Sequence, residues 1–211
     1  MINRRALRFL QLLGCGIGLA IPTAGCQMSV ETTTSSGGAS APAMPSNVTK
    51  TAPSLAVSNP AVGNTSPLLQ VDNCYLAGQP QVEDFAAFKA AGVTKVISLR
   101  DPSEINWDEQ AAVEAAGMEF IQIPMGKPDQ LTSEKIEQVC DLLQQAKEQD
   151  TKVVLHCGAA VRASAVWMAH YCVSQNASWL EAEAFATNLV KVPDAWKAPV
   201  KTYVEQNASR N

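Results

Sequence analysis

The chain has 211 residues, 46% of them apolar and 17% charged, so it can bury a core and is not a disordered polyelectrolyte. Sixteen basic and 20 acidic residues give a formal charge of -4, which provides no general positive field for a nucleic-acid backbone. No nucleic-acid partner is expected.

Residues 1–26 begin with Arg4, Arg5 and Arg8 and continue as an apolar run from Phe9 to Ala24, interrupted by Gly14, Gly16, Gly18 and Pro22. This is the pattern of an export signal, shorter and richer in glycine than a spanning helix. The run ends Thr23-Ala24-Gly25-Cys26, which resembles a bacterial lipobox, with Thr23 in place of the usual leucine. Cys26 is therefore a candidate lipid anchor, the alternative being ordinary cleavage near Ala24. Either outcome implies an exported protein of the periplasm or cell envelope. Loss of the three arginines leaves 13 basic against 20 acidic residues, a charge of about -7, which does not favour electrostatic attachment to anionic lipid. Residues 27–67 are rich in Ser, Thr, Pro, Gly and Ala, with Glu31 and Lys50 as the only charges, and are expected to be a disordered linker.

A folded domain is expected over 68–206. Leu69 to Ala77 reads as a strand or strand pair closed by the turn Gly78-Gln79-Pro80. Val82, Phe85, Ala86 and Phe88 trace a helix that stops at Gly92. Lys95 to Leu99 reads as a buried strand, 107–116 as a helix ended by Gly117, and Glu119 to Ile123 as a strand. Ile136, Val139, Cys140, Leu143 and Ala146 lie on one side of a third helix, and Lys152 to Leu155 is a strand too apolar for an exposed sheet edge. A helix follows Arg162, another spans 178–189 with Ser178 and Glu181 as its capping box, and the proline-containing tail 191–211 allows one short helix. The alternation predicts an α/β three-layer sandwich around a mostly parallel sheet.

The chemistry concentrates in His156-Cys157-Gly158-Ala159-Ala160-Val161-Arg162-Ala163-Ser164. A cysteine at the carboxyl end of a buried strand, followed by small residues and an arginine entering a helix, makes an oxyanion site from the backbone amides of 158–163 and the guanidinium of Arg162. The same field favours the Cys157 thiolate, the form that acts as nucleophile. Arg162 can hold two oxygens of a phosphoryl group, and His156 is expected to orient the loop through a backbone hydrogen bond.

Leu76-Ala-Gly-Gln-Pro80, Ala90 to Arg100, Glu114-Ala-Ala-Gly117, Ile121-Gln-Ile-Pro124 and His156-Cys-x-x-x-x-Arg162 together resemble the phosphatase-like domain of beta-lactamase-hydrolase-like proteins, related in fold to cysteine-dependent tyrosine and dual-specificity phosphatases. The resemblance covers 68 to about 175 and implies a dual-specificity-phosphatase-like fold. It also implies hydrolysis of a phosphomonoester, small or on a phosphoprotein, through a phosphocysteine at Cys157. Lys127-Pro128-Asp129 resembles the acid loop, which makes Asp129 the candidate general acid and Asp101 its competitor; capping of the following helix is the other role open to Asp129. Gln79 and Pro80 are implied to face the active loop.

Three features depart from the phosphatase pattern. Four residues rather than five separate Cys157 from Arg162, a spacing also similar to rhodanese-type sulfurtransferases. Ala160 stands where glycine is usual, and Ala163 where Ser or Thr often assists the leaving thiolate, with Ser164 one place later. A persulfide-carrying sulfurtransferase and a non-catalytic oxyanion-binding module, taking phosphate or sulfate-like anions, are the alternatives. No cofactor is expected, since His156 and His170 have no metal-ligand spacing with the cysteines. Arg100 and Glu104 read as a local ion pair or as pocket lining, and Cys74 or Cys172 as a candidate disulfide partner of Cys157.

Overall fold

Residues 55–207 are described by a computed structural model, and the expected export signal, Cys26 and most of the expected linker lie outside them. Six strands form one sheet in the order β1-β2-β3-β6-β4-β5: β1 Val57–Ser58, β2 Leu68–Val71, β3 Cys74–Ala77, β4 Val93–Ser98, β5 Glu119–Gln122 and β6 Lys152–His156. The first three strands pair antiparallel, and β3, β6, β4 and β5 are parallel. The strand placed between β3 and β4 is thus the last in sequence, reached through a crossover from the far edge.

Side-chain alternation divides the apolar residues into two layers. Val153 and Leu155 of β6, with Leu76 of β3 and Ile97 of β4, face one core, while Val154, Tyr75 and Val96 face the other. Helices α1 Asp84–Ala90 and α2 Glu109–Ala115 cover the second face. Helices α3 Ser133–Glu148, α4 Val161–Gln175, α5 Trp179–Ala186 and α6 Asp194–Asn207 cover the first. The five apolar residues predicted to line α3 are all buried. α4 is buried nearly all round, which explains why its sequence lacks an amphipathic stripe. Trp167 stacks there against Phe185 at a centroid distance of 4.3 Å.

Two boundaries differ from the sequence reading. The folded part begins before residue 68: β1 pairs with β2, and Val62 and Thr65 are buried. The fixing group is Asp84, 1% exposed, whose carboxylate accepts from Asn64 N at 2.7 Å, Thr65 Oγ1 at 2.8 Å and Gln81 N at 2.9 Å. The low hydrophobicity of 55–67 concealed this, because the segment is held by polar contacts with α1. The tail forms a helix of 14 residues rather than a short one, with Pro199 inside it. An interior proline costs about 3 kcal/mol; burial of Val200 and Tyr203, each stabilising by about 1.5–3 kcal/mol, offsets that cost.

Candidate active site

The carboxyl ends of β3, β6 and β4, with the loop after β5, converge on one end of the sheet, where open parallel sheets bind ligands. The Cys157 loop is stitched to the turn after β3: Cys157 N donates to Ala77 O at 3.3 Å, Gln79 N donates to Gly158 O at 3.1 Å, and Gly78 bridges Ala159. Glycine is required at 78, because a Cβ there would lie 2.6 Å from Ser66 O. The implied placement of the Gln79-Pro80 turn against the loop is the one observed.

Cys157 is 1% exposed, while Gly158 and Ala159 open to solvent. Ala160 takes φ 61°, the left-handed conformation that glycine adopts at least cost. The chain accepts this strain in order to turn from the strand into α4.

Arg162 returns from the first turn of α4 toward the loop and is only 8% exposed. Nη1 donates to Glu104 Oε1 at 2.7 Å, Leu99 O at 3.1 Å and Met125 O at 3.3 Å, and Nη2 donates to Glu104 Oε2 at 2.6 Å. Burial opposes the charge of Arg162, but its bond to Glu104 and its electrostatic attraction to Cys157 outweigh burial and hold the guanidinium above its ordinary value. The Arg162 bond also holds the Glu104 carboxyl down at about 2. Glu104 therefore both lines the pocket and forms the local ion pair with Arg100, Nε to Oε2 at 3.6 Å.

Asp129 is exposed on a short 3-10 turn, Pro128–Gln130, after β5. It does not cap α3, a role taken by Thr132. Its loop is fastened by Gln130 Oε1, which accepts from Gly126 N at 2.7 Å and Lys127 N at 3.2 Å. A Cβ on Gly126 would lie 3.7 Å from Glu104 Oε1, so this loop runs beside the arginine's partner. Asp101 accepts from Ser103 Oγ at 2.6 Å and Ser103 N at 3.0 Å, which holds its carboxyl below the usual range and makes it a poor proton donor.

His156 is fully buried, and burial pulls its imidazole down to about 3. It touches the Cys157 backbone, although neither ring nitrogen has a well-aligned hydrogen bond. Ser164 is buried and its hydroxyl has no hydrogen-bond partner, so it makes no bond to the Cys157 thiol. Ala163 is fully buried in the core beneath the loop.

The expected disulfide partners are misplaced. Cys74 pairs with Val153, four residues before Cys157, or roughly 13 Å along the strand. Cys172 lies 11 residues into α4 from Val161, roughly 16 Å along its axis. A disulfide needs Cα atoms within about 7 Å, and the described cysteines are all free and buried.

One buried acid at the site escaped the sequence reading. Glu109, on the first turn of α2, is 4% exposed and lies 3.4 Å from His156 Nε2. Gln79 Nε2 donates to its Oε1, and Ser98 Oγ donates to its Oε2 at 3.0 Å. The available signal was its position four residues before buried Val113, in phase with the apolar side of the helix.

A profile of the family described as "Polymorphic toxin system, DSP-PTPase phosphatase" matches residues 73–177, which contain the whole arrangement above. The chain has the dual-specificity phosphatase fold. A DUF442 protein of Shewanella putrefaciens CN-32, proposed to be a phosphatase, is 25% identical with a TM-score of 0.55 over 68% of this chain and 95% of that one. TpbA of P. aeruginosa is 20% identical with a TM-score of 0.53, over 66% and 83% of the two chains. PTPMT1, solved in complex with PI(5)P, is 17% identical with a TM-score of 0.59, over 66% and 94%. No curated protein sequence matches the chain. The fold, the family match and the buried cysteine heading its loop support a phosphocysteine-based phosphatase acting on a phosphate ester.

Proposed function

We propose that Cys157, Arg162 and Asp129 carry out phosphomonoester hydrolysis as nucleophile, oxyanion holder and general acid. The Cys157 sulfur attacks phosphorus, an S–P bond forms, and the bond to the leaving oxygen breaks as Asp129 delivers its proton to that oxygen. Water then attacks the phosphocysteine, Asp129 takes the water's proton, and the thiolate and inorganic phosphate separate. The observation that carries this reading is the return of Arg162 over the loop, where its Nη2 would lie 3.7 Å from a Cβ on Gly158, beside the buried Cys157 and under a loop open to solvent at Gly158 and Ala159. The amides of 158–163 complete the oxyanion site. Asp129 is preferred to Asp101 because Asp101 is committed to capping Ser103. The substrate is a small phosphomonoester or a phosphoprotein, and the signal-like pattern of residues 1–26, with Cys26 as lipid anchor or cleavage near Ala24, supports a location in the periplasm or cell envelope.

Hydrolysis of p-nitrophenyl phosphate by the full-length chain tests the reading. Cys157→Ser is expected to abolish turnover and Asp129→Asn to lower kcat. Full activity in the Cys157→Ser chain, or thiocyanate production from thiosulfate without phosphatase turnover, would overturn it.

A further inference from the structure

The proposed hydrolysis leaves two buried titratable groups without a part, the Glu109 carboxyl and the His156 imidazole. His156 Nε2 faces Glu109 Oε1 at 3.4 Å. The ring also meets the Cys157 backbone, in a contact that favours a proton on the ring and so has an acceptor on the backbone side. A neutral imidazole that donates from one nitrogen presents a lone pair from the other. With Nδ1 donating toward the Cys157 backbone, Nε2 needs a donor, and Glu109 is placed to supply it.

The remaining contacts of Glu109 favour its ionised form, and burial outweighs them. Its Oε1 accepts from Gln79 Nε2 and its Oε2 accepts from Ser98 Oγ, and a proton on Oε1 directed at Nε2 keeps both of these contacts. An ionised carboxylate would set Oε1 against the Nε2 lone pair, two acceptors face to face in a buried site.

We propose that Glu109 keeps a proton shared with His156 Nε2, and that this pair is the positioning element holding the Cys157 backbone at the head of the oxyanion loop. The proposal rests on the phosphatase reading only for the reaction the pair serves. Burial pushes Glu109 up and His156 down, which puts the shared proton on the carboxyl side. The charged groups facing the pair are Arg100, which opposes a proton on either member, and Arg162, which opposes one on His156; at Glu109 burial outweighs Arg100. Gln79 accepts from Arg100 Nη1 at 2.7 Å, and Arg100 in turn donates to the Glu104 carbonyl. The pair thus ends a chain of contacts that leads through Glu104 to Arg162. When pH rises, the pair releases its one proton to solvent, His156 moves its own proton to Nε2, and the ring lets go of the Cys157 backbone.

The test combines nitrogen-15 NMR of the His156 ring with the pH dependence of Cys157 alkylation by iodoacetamide, in full-length wild type, Glu109→Gln and Glu109→Leu. In wild type, His156 is expected in the Nδ1–H tautomer at neutral pH, switching to Nε2–H at alkaline pH together with a change in Cys157 reactivity. Glu109→Gln, whose amide donates without titrating, should keep the Nδ1–H tautomer and abolish the alkaline switch. Glu109→Leu should show the Nε2–H tautomer throughout and lose at least about tenfold in kcat/KM, equivalent to about 1.4 kcal/mol. An Nε2–H tautomer in wild type at neutral pH, or an unchanged switch in Glu109→Gln, would overturn the proposal. If Glu109→Leu does not fold, the wild-type titration and Glu109→Gln decide the matter. The NMR and alkylation readouts need no turnover, so an inactive wild type that shows the switch would remove the phosphatase reading and leave the pair in place.

Discussion

Glu104 grips Arg162 with both carboxylate oxygens, at 2.7 and 2.6 Å, and the guanidinium is further fixed by the carbonyls of Leu99 and Met125. Loop segments from the ends of β4 and β5 therefore meet on the arginine that belongs to β6 and α4.

Removing this grip should loosen the oxyanion site without removing its charge. Glu104→Ala is expected to lower kcat/KM for p-nitrophenyl phosphate by about 10–100-fold, or about 1.4–2.7 kcal/mol. Glu104→Gln, which keeps one acceptor oxygen, should lose less. Steady-state kinetics with vanadate inhibition separates the effect on anion binding from that on turnover.

At Ala160 the backbone conformation opposes the side chain, with φ at 61°. The left-handed region costs a non-glycine residue about 1–2 kcal/mol, while glycine gives back about 0.4–1 kcal/mol through the freedom of the unfolded chain. Ala160→Gly should therefore stabilise the domain by about 0.5–1 kcal/mol. Urea denaturation of both chains measures this, and a fall in the midpoint would refute the assignment of strain.

Acid should unfold the domain through His170 as well as its carboxylates. Burial pulls His170 down to about 4 from an ordinary 6.5, so between these values the unfolded chain binds a proton that the folded chain does not. Stability consequently falls as pH falls through this window, by up to about 1.4 kcal/mol per unit. His170→Gln should reduce the dependence of stability on pH between 6.5 and 4, as measured by denaturant midpoints, and leave the share of His156, which burial pulls down to about 3.

The segment before β2 should contribute to stability through Asp84. Asp84→Ala leaves Asn64 N, Thr65 Oγ1 and Gln81 N without their acceptor and should cost about 2–4 kcal/mol, since hydrogen bonds to a charged group contribute about 1.5–3 kcal/mol each and add incompletely. Thermal unfolding of the two chains provides the comparison.

What could be read in the sequence follows from where the information resides. The alternating strands and helices were visible because apolar spacing changes from period 2 to period 3.6, and Cys157 and Arg162 because they share one short loop. The partners of Arg162 were not visible, since Leu99 O and Met125 O are backbone atoms on which residue type leaves no mark. Glu109 was hidden because an acid beside Asp108 at the start of a helix reads as ordinary capping, and only the fold brings it to His156. Asp84 was hidden for a similar reason, as its ligands lie about 20 residues away in a segment of linker-like composition.

The placement of β6 has a consequence for how the site comes into being. β3 and β4 are not neighbours; each pairs with β6, and nothing joins them in the sheet until residues 152–156 have been made. During synthesis the amino-terminal strands emerge with a gap between them, and long-range pairing of this kind is slow to form. The segment that fills the gap ends at Cys157, so the step that joins the two parts of the sheet also delivers the nucleophile, and a chain stalled before this step has neither a complete sheet nor an assembled reactive loop.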